Sequence, residues 1–552
     1  MPIPVLQGEI RIYIYFIEFS GVLLYNLYIK YKGEYFMGKN GKKGKGLNYK
    51  RTFLIGFGFM GCMLLWSVYN SYVPVILRAK FTELLGDGTS AAAFLNGHKA
   101  LAWVSVALIV NAIMTIDNVF GVIFLPFFGK RSDRVKVRKW GKRMPFILVC
   151  MPICALFFCF IPVAALVKAV GLSILLMMAV IIFFNFTMSV WRSPVVSLMP
   201  DFTPSHLQSD ANAVINIMGG IGQMVGFVVG TIATALAGLI GFTTIASHLK
   251  AETDALGRVL DANGNVVVID GVVQKVNYVP VFVVTAIIAV LCIVVLTVFY
   301  RKNRKYDLTA TEAQVIEKDD APKKKVSIKN LDMAKDEKRS LIIMLLALFL
   351  LNNATEAIIP NFTNFANDTL KVQPIYSTLM MAVFAVSLAA FGIPAGIMGR
   401  KLGRKKTILI GLSGIVFMFT VYLTVSQLLP NNADGSVNKF TWICLWVALV
   451  VGGGAVGCVN INTLPLVLAM GGREHVGTFT GYYYTATQAA SISGPILCGL
   501  VIGLFHEDYN YMFLYCAIMF AFGLVAMLGV KHGESTEEDE EWIQEAVDAA
   551  GD

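Results

Sequence analysis

Charge is scarce in this chain. Asp, Glu, Lys and Arg make up 15% of its 552 residues, against about a quarter in soluble globular proteins. So little charge excludes a water-soluble enzyme, and 56% hydrophobic residues exclude a disordered scaffold. Histidine is also rare: the six stand at 98, 206, 248, 475, 506 and 532, in loops or at the ends of apolar runs. No metal site is expected from them. A Walker-type phosphate loop is missing, so ATP is not expected to act directly, and no cofactor is implied. The nine cysteines (62, 150, 154, 159, 292, 444, 458, 498 and 516) lie inside apolar runs without metal-ligand spacing. They read as small apolar packing residues, and disulfides are not implied.

Long hydrophobic runs are what the chain does have. Many exceed the roughly 18 residues that cross a hydrocarbon core of about 30 Å. We count twelve spans, at 53–77, 100–126, 145–167, 171–199, 212–242, 278–300, 341–361, 374–398, 407–429, 441–469, 478–503 and 510–530. Lipid offers backbone groups no partner, and runs of this length suit helices rather than barrel strands. The net charge of +10 does not point to nucleic acid, because Lys and Arg gather in short loops between spans. Lys39–Arg51 precedes span one, Lys130–Arg143 follows span two and Arg400–Lys406 follows span eight. These loops alternate with sparsely basic ones, so both termini are expected in the cytoplasm of a cell whose plasma or inner membrane the chain crosses. No catalytic set of His, Asp or Ser gathers at a membrane face, so an enzyme is not expected.

The ends and the middle divide the chain. Residues 1–49 form an N-terminal segment. Its run Ile12–Ile29 carries Glu18 and has no basic stretch before it, which makes a poor signal peptide. Residues 1–36 are expected to be an extension upstream of the true start at Met37; an extra membrane-associated helix is the rival. Residues 50–300 are expected to form one six-helix bundle, 301–339 a charged cytoplasmic linker, 340–531 a second bundle and 532–552 an acidic tail. In the outside segment 243–277, Asp261-Ala-Asn-Gly264-Asn between valines predicts a hairpin turning at Asn263-Gly264.

Two motifs recur six spans apart. Gly141-Lys-Arg143 before span three is matched by Gly403-Arg-Lys-Lys406 before span nine. Pro194-Val-Val-Ser-Leu-Met199 at the end of span four is matched by Pro465-Leu-Val-Leu-Ala-Met470 at the end of span ten. Two motifs in register imply two six-helix halves in parallel orientation. The run Gly129-x-x-x-Asp133-Arg134 followed by Gly141-Lys-Arg143 resembles the loop motif of the major facilitator superfamily. Leu125-Pro126-x-x-Gly129 with Ser132-Asp133-Arg134 and Gly141-Lys-Arg-Met-Pro145-Phe resembles its sucrose-transporter and glycoside–pentoside–hexuronide:cation symporter branch. So does Leu198-Met-Pro-Asp201 with Ala211-Asn-Ala213 and Met218-Gly219. The resemblance covers about 50–531 and implies an all-α fold of twelve helices in two bundles, working as a rocker-switch carrier of a sugar or glycoside with a cation.

Charges inside spans are functional candidates, because each costs roughly 2.5–3.5 kcal/mol near mid-membrane on insertion scales. Asp117, Glu356 and Arg192 are the three. Asp117 stands twelve residues before the basic loop, about 18 Å along a helix, which suits a proton carrier near the midplane; a static Asp117–Arg192 pair holding two helices is the alternative. Glu356 falls in the polar cluster Asn352-Asn353-Ala-Thr-Glu356, fit for coupling, for sugar hydroxyls or for helix packing. Trp66, Tyr69, Asn70 and Tyr72 in span one, Asn118 beside Asp117, and Asn460, Asn462, Tyr482–Tyr484 and Gln488 around spans ten and eleven combine ring faces with hydroxyl partners; core packing is the competing reading of the aromatics. Gly129, Asp133, Arg134, Gly141, Arg143, Arg400 and Arg404 form the loops expected to bridge helix ends on the cytoplasmic face and to part as it opens; a solvated loop that only sets topology is the alternative. Gly222, Gly226 and Gly230 have the spacing that lets helices approach closely.

The chain departs from its relatives at the coupling positions. Melibiose-type carriers line a sodium site with two aspartates of helix two; Leu125 and Gly121 stand at the matching positions, and Asp117 is one turn further out. Their sugar-binding acid in helix four corresponds to Arg192, and the functional arginine of plant sucrose transporters to Val196. A proton is therefore expected as the coupling ion rather than sodium. The expectation is a monomeric, proton-coupled sugar importer in the bilayer. A facilitator or exporter of another polar solute and a non-transporting sugar sensor are the alternatives.

Overall fold

In the computed structural model, the described residues are 48–85, 104–133, 140–203, 208–307 apart from 252, 255, 262, 263, 270 and 271, then 333–429, 437–471 and 476–533. The segment 1–36, Arg134, Asn263, most of the linker and the tail after Gly533 lie outside them. Helices account for nearly all of it: α1 (Tyr49–Leu85), α2 (Val106–Met114), α3 (Ile116–Asp133), α4 (Met144–Ala165), α5 (Val170–Phe202), α6 (Gln208–Leu239), the short α7 (Thr243–Leu249) and α8 (Val279–Asn303) in the first half. The second half holds α9 (Lys335–Asp368), α10 (Pro374–Leu402), α11 (Arg404–Leu428), α12 (Lys439–Gly471), α13 (Val476–Leu504) and α14 (Tyr511–Leu528). Among the described residues, twelve helical spans are long and apolar enough to cross a membrane, with α2 and α3 sharing one.

Two hydrophobic cores form, one per half. Among the described residues, Ile375 of α10 enters the first with Tyr376 packed against it, while Ala107 of α2 and Phe227 of α6 enter the second. Within the first half α1 packs on α6, α4 on α5 and α3 on α5; within the second α11 and α10 pack on α12, and α9 on α13 and α14. The halves meet along α2–α13, α6–α10 and α1–α9. All nine cysteines are free and at least half-buried.

The repeated motifs occupy equivalent places. Gly141 and Gly403 both take left-handed backbone, with φ of 66° and 93°, which glycine adopts without the penalty of a Cβ. Each turn delivers an arginine to the start of the next helix, and each arginine reaches the helix that carries the second motif. Arg143 Nε donates to Asp201 Oδ2 at 3.0 Å at the end of α5, and Arg404 Nη1 donates to the Pro465 carbonyl of α12 at 3.4 Å. The symmetry read from spacing is thus a physical contact in each half.

Two differences from the sequence reading matter. Span two is not one helix over 100–126: it starts at Val106, is interrupted at Thr115 (φ −81°, ψ −6°) and runs to Asp133. The Thr115 hydroxyl donates back to the Ala112 carbonyl at 2.8 Å, a bond that bends helices. The helix also outlasts its apolar run, because Gly-Lys-Arg-Ser-Asp contains nothing that stops helical hydrogen bonding. Asp117 therefore lies further from the loop than the reckoning from the apolar edge placed it. The segment 243–277 does form a hairpin, with a Leu260–Val266 bridge around Gly264 (φ 80°) and a two-stranded ribbon of β1 (Val268–Ile269) and β2 (Val272–Val273).

Glycine sets the distance between α1 and α6. A Cβ at Gly222 would run into the Met60 carbonyl, and one at Gly226 into the Ser67 hydroxyl and the Leu64 carbonyl, whereas Gly220 faces open space. Gly226→Leu is expected to abolish the monodisperse peak of detergent-solubilised protein, since overpacking costs about 1–3 kcal/mol or more. Gly220→Leu should elute as wild type; equal behaviour of the two variants would show that this contact is not limiting.

Candidate functional site: the interface between the halves

Asp117 is the intramembrane charge that feels both of the others. Asp117 is buried in the first turn of α3, where its Oδ1 accepts the Asn118 N–H at 2.6 Å, a place where partial positive charge at the helix start favours a carboxylate. Both Arg192 of α5 and Glu356 of α9 lie within electrostatic reach of it. A direct Asp117–Arg192 ion pair is not among those of the described residues. Arg192 instead holds its guanidinium over the Trp66 ring, 4.8 Å from the centroid, a cation–π contact that stabilises a desolvated charge. Glu356 is half-buried on the wall of a cavity of about 240 Å3 between α6 and the helices of the second half.

The polar residues predicted to bind sugar are largely committed to packing. Tyr69 is buried, stacked on Phe184 at 5.1 Å, and accepts the Asn185 amide at 3.1 Å. Tyr72 is buried against Tyr278 and Phe282. Asn353 donates to Ser493 at 2.9 Å and accepts the Tyr515 hydroxyl. Asn352 donates to the Leu348 carbonyl of its own helix at 2.9 Å. Asn462 ties α12 to α10 through the Ala395 carbonyl at 3.2 Å. Asn70 and Tyr483 are half-buried and Gln488 is exposed, and none of the three lines the cavity, although Asn460 does. Asn118 crosses between the halves, donating to the Ser491 carbonyl of α13 at 3.3 Å.

The loop residues expected to gate serve, where described, to tie helices within one half. Arg143 bonds Asp201 and also the Ser132 hydroxyl, and Arg404 bonds α12. Burial raises the Asp201 carboxyl above the usual range although Arg143 pulls it down. Gly141 holds its turn beneath the Tyr300 ring, whose hydroxyl donates to Asp307 at 2.7 Å. The side chains of Asp133 and Arg400, the surroundings of Gly129 and all of Arg134 lie outside the described residues.

A set of contacts that the sequence reading missed joins the halves at the face carrying the hairpin. Arg78 at the end of α1 pairs with Asp368 at the end of α9 at 2.6 Å, and its guanidinium lies 4.7 Å from the Tyr509 ring centroid. Glu507, between α13 and α14, takes left-handed backbone (φ 63°) and aims its carboxylate at the start of α2, accepting the Ala107 N–H at 3.1 and 3.2 Å. Deeper along α2, Asn111 and Asn361 exchange amide hydrogen bonds at 2.9 and 2.8 Å. The hairpin spans the same seam, with Lys275 on Glu83 of α1 at 2.8 Å and Thr253 on Asn367 of α9 at 3.3 Å. Only partner identity reveals this set: Arg78 and Asp368 are 290 positions apart, and Glu507 reads as an ordinary loop acid.

Comparison with known proteins agrees with this architecture. The sequence matches the Major Facilitator Superfamily over residues 55–364 and 344–546. The fold is similar to that of the nucleoside transporter NupG, with a TM-score of 0.50 at 14% identity, covering 87% of this chain and 99% of that one. It is also similar to a bacterial homologue of the human lysosomal transporter Spinster in an inward-facing, occupied conformation, with a TM-score of 0.51 at 11% identity over 87% of this chain and 95% of that one. A search of curated proteins gave no match.

The hairpin-face contacts carry a pH dependence. Burial raises the Glu507 carboxyl above its ordinary range, against the Ala107 amide and Arg78, which pull it down; Asp368 and Tyr509 are the other ionisable groups around Arg78. Opening this face returns Glu507 to water and to an ordinary value near 4.3. The closed face therefore binds more protons than the open one in the window above that value, and raising the pH weakens it. Spin labels at the exposed Leu239 and Leu428 should move apart as the pH is raised in wild type, and this response should flatten in Glu507→Gln. An unchanged response in the variant would remove Glu507 from the pH dependence.

Proposed function

The chain belongs to the major facilitator superfamily and is a multi-pass membrane transporter rather than an enzyme; on that premise we propose that it moves a small organic solute by alternating access, coupled to protons through Asp117 and Glu356. One observation carries the reading: among the described residues, Asp117 in the first half and Glu356 in the second are carboxylates inside spans without an ion-pair partner, and the charge of Glu356 reaches Asp117 across two separately cored halves. A carboxylate held away from water is costly when charged and unpaired, so a bound proton or a bound cation relieves it. The contacts at the hairpin face form one gate. They are numerous enough to hold that face shut, and individually weak enough, at about 0.5–3 kcal/mol each, to be exchanged for others.

On the reading of the basic loops as cytoplasmic, both termini and the linker lie inside and the hairpin contacts form the outer gate. A sugar or glycoside is the cargo that the loop motifs favour. Trp66, half-buried beside Arg192, supports that reading with a ring face. Arg192 then holds Trp66 in place and moderates the charge of Asp117 without pairing with it. The protein acts as a monomer, each chain holding its own cavity between its halves.

Purified protein in liposomes with an internal pH dye tests the coupling, challenged with mono- and disaccharides and a nucleoside. Solute-evoked proton entry in wild type that vanishes in Asp117→Asn, while labelled-solute exchange persists, establishes symport through Asp117. Counterflow in both proteins with no proton movement would mean facilitation and reduce Asp117 to a structural group.

A further inference from the structure

The cavity beside Glu356 has a chemistry of its own. Among the described residues its lining contains a single formal charge, Glu356, with no lysine, arginine, histidine or second acid from α6, α9, α10, α11, α12 or α14. Six phenylalanines contribute to the wall, Phe227, Phe362, Phe384, Phe419, Phe513 and Phe520. The neutral polar groups are few. Thr355 already donates its hydroxyl to the Leu351 carbonyl at 3.0 Å, which leaves the amides of Gln223 and Asn460.

A sugar fits this wall poorly. Each of its hydroxyls would leave water for a surface with two free amides and one carboxylate, and every hydroxyl without a partner costs about 1–3 kcal/mol. A compact organic cation fits on every count. Its charge neutralises the carboxylate, its body replaces water against apolar side chains, and phenylalanine ring faces attract cations. The volume of about 240 Å3 falls below the roughly 300 Å3 where drug-sized pockets begin, so the solute is small.

We propose that this cavity binds a small monovalent organic cation with an aromatic or aliphatic body, its charge on Glu356 and its body among the phenylalanines. The proposal rests on the transporter reading above and changes its cargo. It also sets the sense of coupling at this site: Glu356 holds either a proton or the cation, so the two displace each other and are exchanged, with Asp117 remaining as the separate proton site of the first half.

Equilibrium titration calorimetry of the full chain in lipid nanodiscs tests it, with three probes that share one body, 4-phenylbutyltrimethylammonium, 4-phenylbutanol and 4-phenylbutyrate, and with sucrose. Wild type should bind the ammonium at least about tenfold more tightly than the alcohol, the order of one charge-assisted contact, and the carboxylate and sucrose not measurably. Ammonium affinity should fall as the pH is lowered. Glu356→Gln should lose about tenfold for the ammonium together with its pH dependence, while alcohol affinity stays unchanged and reports an intact cavity. Should that variant not fold, the wild-type ranking and its pH dependence decide alone. Preference for the alcohol or for sucrose, or a Glu356→Gln variant that keeps its ammonium affinity, overturns the proposal. Binding needs no flux, so ammonium binding without transport would spare this proposal and sink the alternating-access reading, and sugar flux without ammonium binding would do the reverse.

Discussion

Hydrocarbon neither hydrogen-bonds a peptide group nor drives apolar side chains together, and the architecture follows from that double constraint. The first part forces every span into a helix that satisfies its own backbone. The second means that helices must be held by close approach and by polar contacts rather than by expulsion of water. Glycine supplies the close approach. Gly222 and Gly226 bring α6 onto the backbone of α1, and Gly494 brings α13 onto the Asn353 backbone of α9. The asparagine amides supply much of the rest, as at Asn353, Asn361 and Asn462.

That economy separates the interior of each half from the seam between them. Inside a half, residues such as Trp191, Phe184 and Phe282 are fully enclosed, and the motif arginines Arg143 and Arg404 tie the start of one helix to the end of another. Across the seam, beside the apolar contacts of Ile375, Ala107 and Phe227, an ion pair and amides join the halves, groups that water replaces without great loss: Arg78 with Asp368, Glu507 with the Ala107 amide, Asn111 with Asn361. Two stiff bodies joined by exchangeable polar contacts are what a rocking motion requires, and the free carboxylates sit beside that joint rather than within either core.

The sequence made the spans, the repeat and the three intramembrane charges legible because each is a local signal: a run of apolar residues, a glycine–basic turn, an ionisable side chain where none is cheap. It also located both turn glycines before their positive φ was known. It left the polar residues of the spans open between solute binding and helix packing. Asn353, Asn462 and Tyr69 look alike on paper whether they meet a solute or a neighbouring helix, and the partner that decides the matter, Ser493, the Ala395 carbonyl or Asn185, lies on another element. The hairpin-face contacts were illegible for the same reason, and the break at Thr115 because one hydroxyl turning back on its own helix leaves no mark in hydropathy.

By itself, then, the sequence determined that this is a twelve-span membrane protein of two like halves with Asp117, Arg192 and Glu356 inside it, because the bilayer reads hydrophobicity and charge residue by residue as the chain goes by. Only the tertiary structure decided that none of those charges forms an ion pair among the described residues, which amides are already spent on packing, and that Glu356 alone of the three faces a phenylalanine-lined cavity. Those are properties of pairs of residues far apart in the chain, and pairing is settled by how helices approach, which no single stretch of sequence encodes.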